Sequence, residues 1–503
     1  MLSVFTAQGQ GFQKVVRYLG QEDYMEQAAF HDSAQAVFGL GYVSDTNNVR
    51  ILVRYDLNGN AVWQQAAVPG PDDYYSFEYM STEGNGVFVG GDADGDSSAA
   101  FIMRFDLNGT PSWARIFSYN PYHVDITAMG GDGLGNVLFG GQEHNFSSFH
   151  FDGMVGKIRA SDGAPMWMST IGDTLDIQVA GVTSTPSGEV IAAGNVDDWP
   201  IQMAHWPWIA KWSANGTLLW CKKLDYNAAI ATVKADANTI YLAGDDYQNG
   251  QNDRLFVAKF TQSGNLVDWQ SMDNPDVGSY VQDMKLDADG LTLVAPYYEN
   301  ISGLESALIM RLDTSLQVVY AWLDEYAVPY AIAGTDANQM LHFVGSYFGD
   351  PNNDETIMLG AIPDAPISSI PCGMVPFSPV FVSETPTVSN YLVTPDVTNR
   401  SGYASHNTYS LPITPLTDCL STGTEAPQYS LQAWPNPTTG LLHLNLPKEA
   451  TTVTLHAIDG REVLRATTSG ETALNMSQIP QGVYLLKANA STGIWTTKVV
   501  KMN

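Results

Sequence analysis

The chain has 503 residues, 44% of them hydrophobic, and carries 23 Lys+Arg against 53 Asp+Glu, a formal net charge of −30. That balance repels nucleic acid and anionic lipid surfaces, and no apolar run reaches the roughly 18 residues that a membrane helix needs. The length exceeds what one hydrophobic core organises, so a large domain and at least one small one are expected.

Residues 1–9, Met1-Leu2-Ser3-Val4-Phe5-Thr6-Ala7-Gln8-Gly9, read as the end of a secretory signal with an A-x-G cleavage site, or as an ordinary N-terminal segment. Residues 12–18 have strand character but no neighbouring strand to pair with. From there to about residue 365 one module recurs. Its most legible part is a hairpin, with Arg54 and Asn58-Gly59 before Trp63, then Arg104 and Asn108-Gly109 before Trp113. Asn-Gly between apolar runs predicts a type I′ turn, in which both central residues take positive φ. Looser copies place Lys157, Lys211, Lys259 and Arg311 before Trp167, Trp220, Trp269 and Tyr320. The interval of about fifty residues is that of a four-stranded propeller blade.

Upstream of each hairpin lies a second pair of strands, whose later member reads Val37-Phe38-Gly39-Leu40-Gly41 in its first copy and Leu341-His342-Phe343-Val344-Gly345 in its seventh. Seven copies predict seven blades of strands A to D, numbered from the axis outward. The seventh lacks strand D, and residues 12–18, placed beside 357–362 as the outermost strand, close the ring. The basic residue repeated in six hairpins is read as a rim ion pair with a neighbouring carboxylate. A ring of ligand-binding cations is the alternative.

Short turns join A to B and C to D, so the long B–C and D–A connections share the opposite face, where binding residues are expected. Candidates on that face are Trp199, His205 and Trp206, with Tyr74 and Tyr122 between blades; Trp208 aligns with Phe101 and Phe256 and is expected in the core. Asp92, Asp94 and Asp96 alternate as in a Ca²⁺ loop, but the glycine is misplaced and Met103 stands where the bidentate Glu belongs. A solvated acidic loop is therefore the expectation, with no cofactor. No nucleophile elbow, zinc motif or phosphate loop occurs.

Prolines crowd after residue 362, and residues 366–425 are expected to be a Pro/Ser/Thr-rich linker, or a loop closed by a Cys372–Cys419 disulfide, while Cys221 is expected as a buried thiol. Residues 426–503 form a further small β domain, a sandwich. Its Trp434-Pro435-Asn436-Pro437, Asp459-Gly460-Arg461, Ile479-Pro480-Gln481-Gly482-Val483-Tyr484 and Lys498-Val499-Val500-Lys501 resemble the type A C-terminal sorting domain of the Bacteroidota type IX secretion system.

The resemblance implies a signal peptide, passage through the periplasm, and release or display at the cell surface, with the secretion machinery as partner of residues 426–503. It favours the signal reading of residues 1–9. The expectation is thus an all-β protein, a seven-bladed β-propeller followed by a small C-terminal β-sandwich. It is expected to be a non-catalytic binding or adhesion module for a glycan or protein ligand. A structural spacer or surface-layer protein and a glycan-active enzyme are the alternatives. An enzyme would be marked by paired carboxylates or a His/Tyr/Arg cluster converging within a few ångströms at the axial mouth.

Overall fold

The computed structural model describes residues 12–17, 23–43, 49–67, 74–94, 99–117, 122–145, 150–172, 175–197, 205–247, 254–273, 277–299, 305–324, 327–347, 356–364, 374–379, 381–390, 394–397, 408–409, 414–416, 429–430, 433–446, 451–457, 462–490 and 493–502. Residues 1–9 lie outside them, as do Trp199, Asp96, Cys372 and Cys419. Two compact units divide the chain, Met1–Ser421 and Thr422–Asn503.

In the first unit the described residues form seven antiparallel sheets, six built on four or more strands successive in the chain and the seventh on three. The first blade is Asp23–His31, Ala36–Val43, Val49–Tyr55 and Ala61–Ala67. The other inner strands, A, are Tyr74–Glu83, Tyr122–Gly131, Asp176–Ser184, Ala228–Ala235, the interrupted pair Val277–Ser279 and Asp283–Asp287, and Ala327–Thr335. A hydrophobic cluster fills each gap between consecutive sheets. Phe38 and Phe77 lie in the first gap, and Met25 and Val53 meet Val344 and Leu359 across the gap that joins the seventh blade to the first. The ring is therefore closed by apolar packing. Strand Phe12–Arg17 completes the seventh blade, running antiparallel to Thr356–Pro363 with Phe12 opposite Ala361 and Val16 opposite Ile357.

That strand is not outermost. Thr414–Leu416 pairs on its outer side, and the segment expected to be a linker is a belt of short edge strands. Met374–Pro376 joins the sixth blade, Phe381–Ser383 the fifth, Thr387–Asn390 the fourth, Thr394–Val397 the third, Thr408–Tyr409 the first and Thr414–Leu416 the seventh. The described belt strands thus follow the rim against the order of the blades, with none on the second blade among the described residues. From the sixth blade to the third they start six or seven residues apart, and such steps span roughly 20 Å of extended chain, enough to reach from one outer edge to the next. The physical reason for it is the edge itself, since each strand D otherwise presents unpaired N–H and C=O groups. Met374 is buried between the sixth and seventh blades, Phe377 and Phe381 pack against the core between the fifth and sixth, and Val388 packs between the fourth and fifth.

The C–D hairpins form where expected, with a different turn. Gly59, Gly109, Gly163, Gly216 and Gly264 have positive φ, whereas Asn58 and Asn108 do not. The amide of Gly59 bonds to the carbonyl of Asp56, and the register shifts between Arg54 and Tyr55. This is a type I turn closed by a glycine bulge. The Asp56 carboxylate decides it by accepting the amides of Asn58 and Asn60 at 2.9 and 2.8 Å, an Asx turn that Asp106 and Asp313 repeat.

Trp269 departs from the series. Asp268, not Trp269, stands opposite Lys259, the place that Trp63 takes opposite Arg54. A one-residue slip turns a strand residue to the other face, so Trp269 is fully buried between the fourth and fifth blades, stacked on Phe256 at 4.0 Å.

The repeated basic residues divide into two kinds. Lys157, Lys211 and Arg311 form ion pairs with Asp132, Glu189 and Asp287. Arg54, Arg104 and Lys259 donate to the Leu107 carbonyl, the Asn85 side chain and the Thr314 carbonyl.

Every inner strand is irregular at one level. Register shifts leave Glu26, Glu78, Thr127, Ala180, Ala231 and Tyr330 as extra residues in six blades, and in the sixth blade the strand is interrupted over 280–282. The cause lies on strand B. A Cβ on Gly194 would meet the Gln178 carbonyl oxygen at 1.9 Å, and Gly41, Gly141, Gly244 and Gly345 are crowded in the same way. Glycine therefore lets the inner strand fold its carbonyl over strand B, which is the geometry of a bulge. The interrupted blade carries Ala295 at this position. Gly194→Ala is expected to destabilise the propeller by about 2–3 kcal/mol, and an unchanged thermal transition would show that the close approach is not required.

The second unit has a five-stranded sheet of Tyr429–Ser430, Gly493–Lys501, Gly482–Ala490, Thr451–Ala457 and Glu462–Thr468. It also has a three-stranded sheet of Ala433–Trp434, Leu441–Asn445 and Glu471–Asn475. Leu442, Leu444, Val453, Leu455, Leu486 and Val499 are buried together as its core. Glu471–Asn475 is a strand that the sequence pattern did not indicate.

Candidate functional site at the axial mouth

The seven inner strands line a cavity of about 450 Å³ along the axis, with Gln27, Tyr79, Thr127, Gln178, Lys234 and Tyr330 on its wall. A second cavity of about 680 Å³ shares Gln27, Tyr79, Gln282 and Tyr330 with it and adds Tyr24, Glu26, Arg50 and Glu78. The two are consecutive sections of one passage. Tyr24, Tyr42 and Arg50 stand in one cross-strand row at the A-start, B-end and C-start of the first blade. The wider section thus opens on the face of the B–C and D–A connections.

The bulges build this mouth. An extra residue on an inner strand is turned out of the pleat, and three of them, Glu26, Glu78 and Tyr330, line the wide section together with Gln282 from the interruption of the sixth blade. Amides at this level are met by side chains of neighbouring strands. Asn195 accepts the amide of Ile230 at 2.7 Å, Asp245 that of Val281 at 3.0 Å, and Asp283 that of Ile332 at 3.0 Å. From the fourth blade to the seventh, the inner strands are therefore tied to their neighbours by hydrogen bonds at this level.

Its electrostatics are uneven. Glu26 is ion-paired to Arg50, whose guanidinium lies 5.4 Å from the centroid of the Tyr42 ring. Burial pushes the Glu26 carboxyl above its usual range against the pull of Arg50, and neighbouring Glu78 adds to the rise. Burial and the charges of Glu78, Asp92, Glu26 and Asp125 likewise raise the Tyr79 hydroxyl, so it stays protonated as a donor. Deeper in the passage, burial raises Asp283 against the pull of Lys234 and two backbone amides. The Tyr24 ring lies 5.4 Å from Tyr42 and 6.3 Å, edge-on, from Tyr330, giving the mouth an aromatic wall.

His205 and Trp206, singled out from sequence, line neither section of the passage. His205 bonds Asp197 at 2.6 Å, which raises its pKa against burial, and its ring lies 5.6 Å from Tyr247. Trp206 is half-buried against the core between the third and fourth blades, with the Lys223 ammonium 4.3 Å from its ring centre, so its side chain already packs within the protein. Trp208 is fully buried, as are Phe101 and Phe256. Tyr74 and Tyr122 are the first residues of their inner strands. Asp92 and Asp94 belong to strand Gly86–Asp94, not to a loop, and no group of three metal-binding side chains occurs among the described residues. Cys221 is a buried thiol raised by burial to about 12.

Sequence reasoning missed Tyr24, Glu26, Arg50, Glu78, Tyr79, Gln282 and Tyr330. One signal was present, since glutamates occupy the extra position of two consecutive inner strands, but an extra residue is invisible until the partner strand is in register.

Residues 432–502 match the family model of the secretion system C-terminal sorting domain. No curated protein matches the chain. Among solved structures, it is similar to the periplasmic gluconolactonase of Pseudomonas aeruginosa, with 12% identity, 74% of this chain and 99% of that one covered, and a TM-score of 0.38. It is also similar to a subtype N10 neuraminidase-like protein of A/little yellow-shouldered bat/Guatemala/060/2010, with 10% identity, 69% and 97% covered, and a TM-score of 0.34. A neuraminidase-like protein from A/bat/Guatemala/164/2009 has 13% identity, 60% and 93% covered, and a TM-score of 0.34. The ring itself is defined by its strand pairing and by the apolar packing between its sheets.

Proposed function

We propose that this chain, which its C-terminal sorting domain routes through the periplasm to the cell surface or the medium, is a glycan-binding module whose ligand seat is the axial mouth. The observation that carries the reading is the lining of the wide cavity. Carboxamides at Gln27 and Gln282, the carboxylate of Glu78, the Arg50 guanidinium and the rings of Tyr24, Tyr79 and Tyr330 face one space of about 680 Å³. Amides and carboxylates match the mixed donors and acceptors of sugar hydroxyls. Tyrosine rings offer apolar faces to pyranose rings with little conformational entropy to lose. A spacer has no use for such a space.

A glycan array probed with the full chain tests the reading. Tyr330→Ala is expected to weaken binding of any retained glycan at least about tenfold, because this ring borders both sections of the passage. Retained glycans that bind the variant unchanged would move the seat elsewhere.

A second reading, a glycan-active enzyme, is favoured by one observation, the presence of Glu26 and Glu78 in the same cavity with Glu26 raised. Release of new reducing ends from a retained glycan, lost in Glu26→Gln, would establish it over binding alone.

A further inference from the structure

We propose that the mouth selects glycans bearing free ammonium groups, the glucosamine class of amino sugar, with Glu78 as the recognising carboxylate and the Tyr24 and Tyr330 rings as the flanking wall. This rests on the glycan-binding reading above and adds the charge of the ligand.

The charges in the mouth differ in how they are used. The guanidinium of Arg50 is engaged by Glu26 and lies over Tyr42. Glu78 lines the same cavity and has no hydrogen-bond or ion-pair partner among the described residues. Its position on a bulge holds it at the axis. The Tyr79 hydroxyl, also without a partner among the described residues, follows it toward the narrow section.

A neutral sugar seated here would replace the water on Glu78 with hydroxyl donors but bring no countercharge, so part of the desolvation cost stays uncompensated. An ammonium supplies the missing partner through a charge-assisted hydrogen bond and is attracted by the faces of neighbouring tyrosines. The net charge of −30 raises the local concentration of cationic ligands further. N-acetylation removes both the charge and the attraction, so the two forms of one sugar report on the same contact.

The experiment titrates the full chain with β-1,4-linked glucosamine oligomers and with N-acetylglucosamine oligomers of equal length, at low salt and at high salt. Wild type is expected to prefer the amine form by about tenfold or more at low salt, with the preference shrinking as salt rises. Glu78→Gln is expected to keep the wild-type melting temperature, having no partner to lose, and to bind both forms alike. Equal binding of the two forms by wild type, or an undiminished preference in Glu78→Gln, overturns the role of Glu78 while leaving glycan binding intact. A lysine-rich peptide that binds more tightly than the amine oligomer overturns the sugar assignment. No binding of either oligomer, together with an empty glycan array, removes the glycan reading itself.

Discussion

Deleting residues 12–17 is expected to lower the melting temperature of the propeller by at least about 10 °C, or to leave it insoluble. The segment is the fourth strand of the seventh blade, and it is held on both sides. Phe12 to Val16 pair with Ala361 to Ile357 inward, and Val15 to Arg17 pair with Leu416 to Thr414 outward. Its loss opens the edge of Thr356–Pro363 and detaches the last strand of the belt. An exposed strand edge is also a template for intermolecular pairing, so aggregation on heating should accompany the lower transition. Calorimetry of the deletion variant checks this, and a transition at the wild-type temperature would sink the proposed seal.

Replacing Lys157 by Met should cost about 3–5 kcal/mol. The Lys157 ammonium lies 2.7 Å from the Asp132 carboxylate, and both side chains are almost completely shielded from solvent. Asp132 also accepts the amides of Leu134 and Asn136 and the carboxamide of Asn136, so it cannot turn away to water. With Lys157 gone a buried carboxylate has no countercharge.

The pH dependence has a definite sign. Burial raises the Asp132 carboxyl, but hydrogen bonds from Lys157, Asn136 and two amides outweigh it and hold the group below its usual range. A depressed carboxylate contributes stability that is complete above its unfolded value and is lost as pH falls through the folded one. In the variant the carboxyl shifts upward and protonates readily. The gap between wild type and variant should therefore narrow as pH falls through the usual carboxylate range, starting above it where the variant's carboxyl protonates and continuing below it where the wild type loses its own contribution. A gap that stays constant with pH would show that Asp132 is not the group responsible.

Much of this architecture is written locally. The four strands of each blade are sequence neighbours joined by short turns, so apolar alternation, the Asp-initiated hairpins and the interval of about fifty residues are enough to expose seven copies. The missing seventh strand D and the orphan strand near the N-terminus then imply their own pairing. The sorting domain is legible for the same reason, as a set of motifs within one short span.

The belt and the mouth are different in kind. Belt strands are two to four residues long and rich in Pro, Thr and Ser, and their partners lie far away in the chain, as when Thr387–Asn390 pairs with Leu218–Asp225. No periodicity marks them, because backbone edges supply the attraction and almost any extended segment satisfies it. The mouth depends on which residue of each inner strand is extra. That is settled by a glycine on the adjacent strand and by the register between the two, so a set spread from Tyr24 to Tyr330 converges only when all seven sheets are in place. Sequence alone thus determined the repeat, its count and the export address, since these reside in contiguous residues. Tertiary structure alone decided what seals the rim and which side chains meet at the axis, since both depend on hydrogen-bond register between strands distant in the chain.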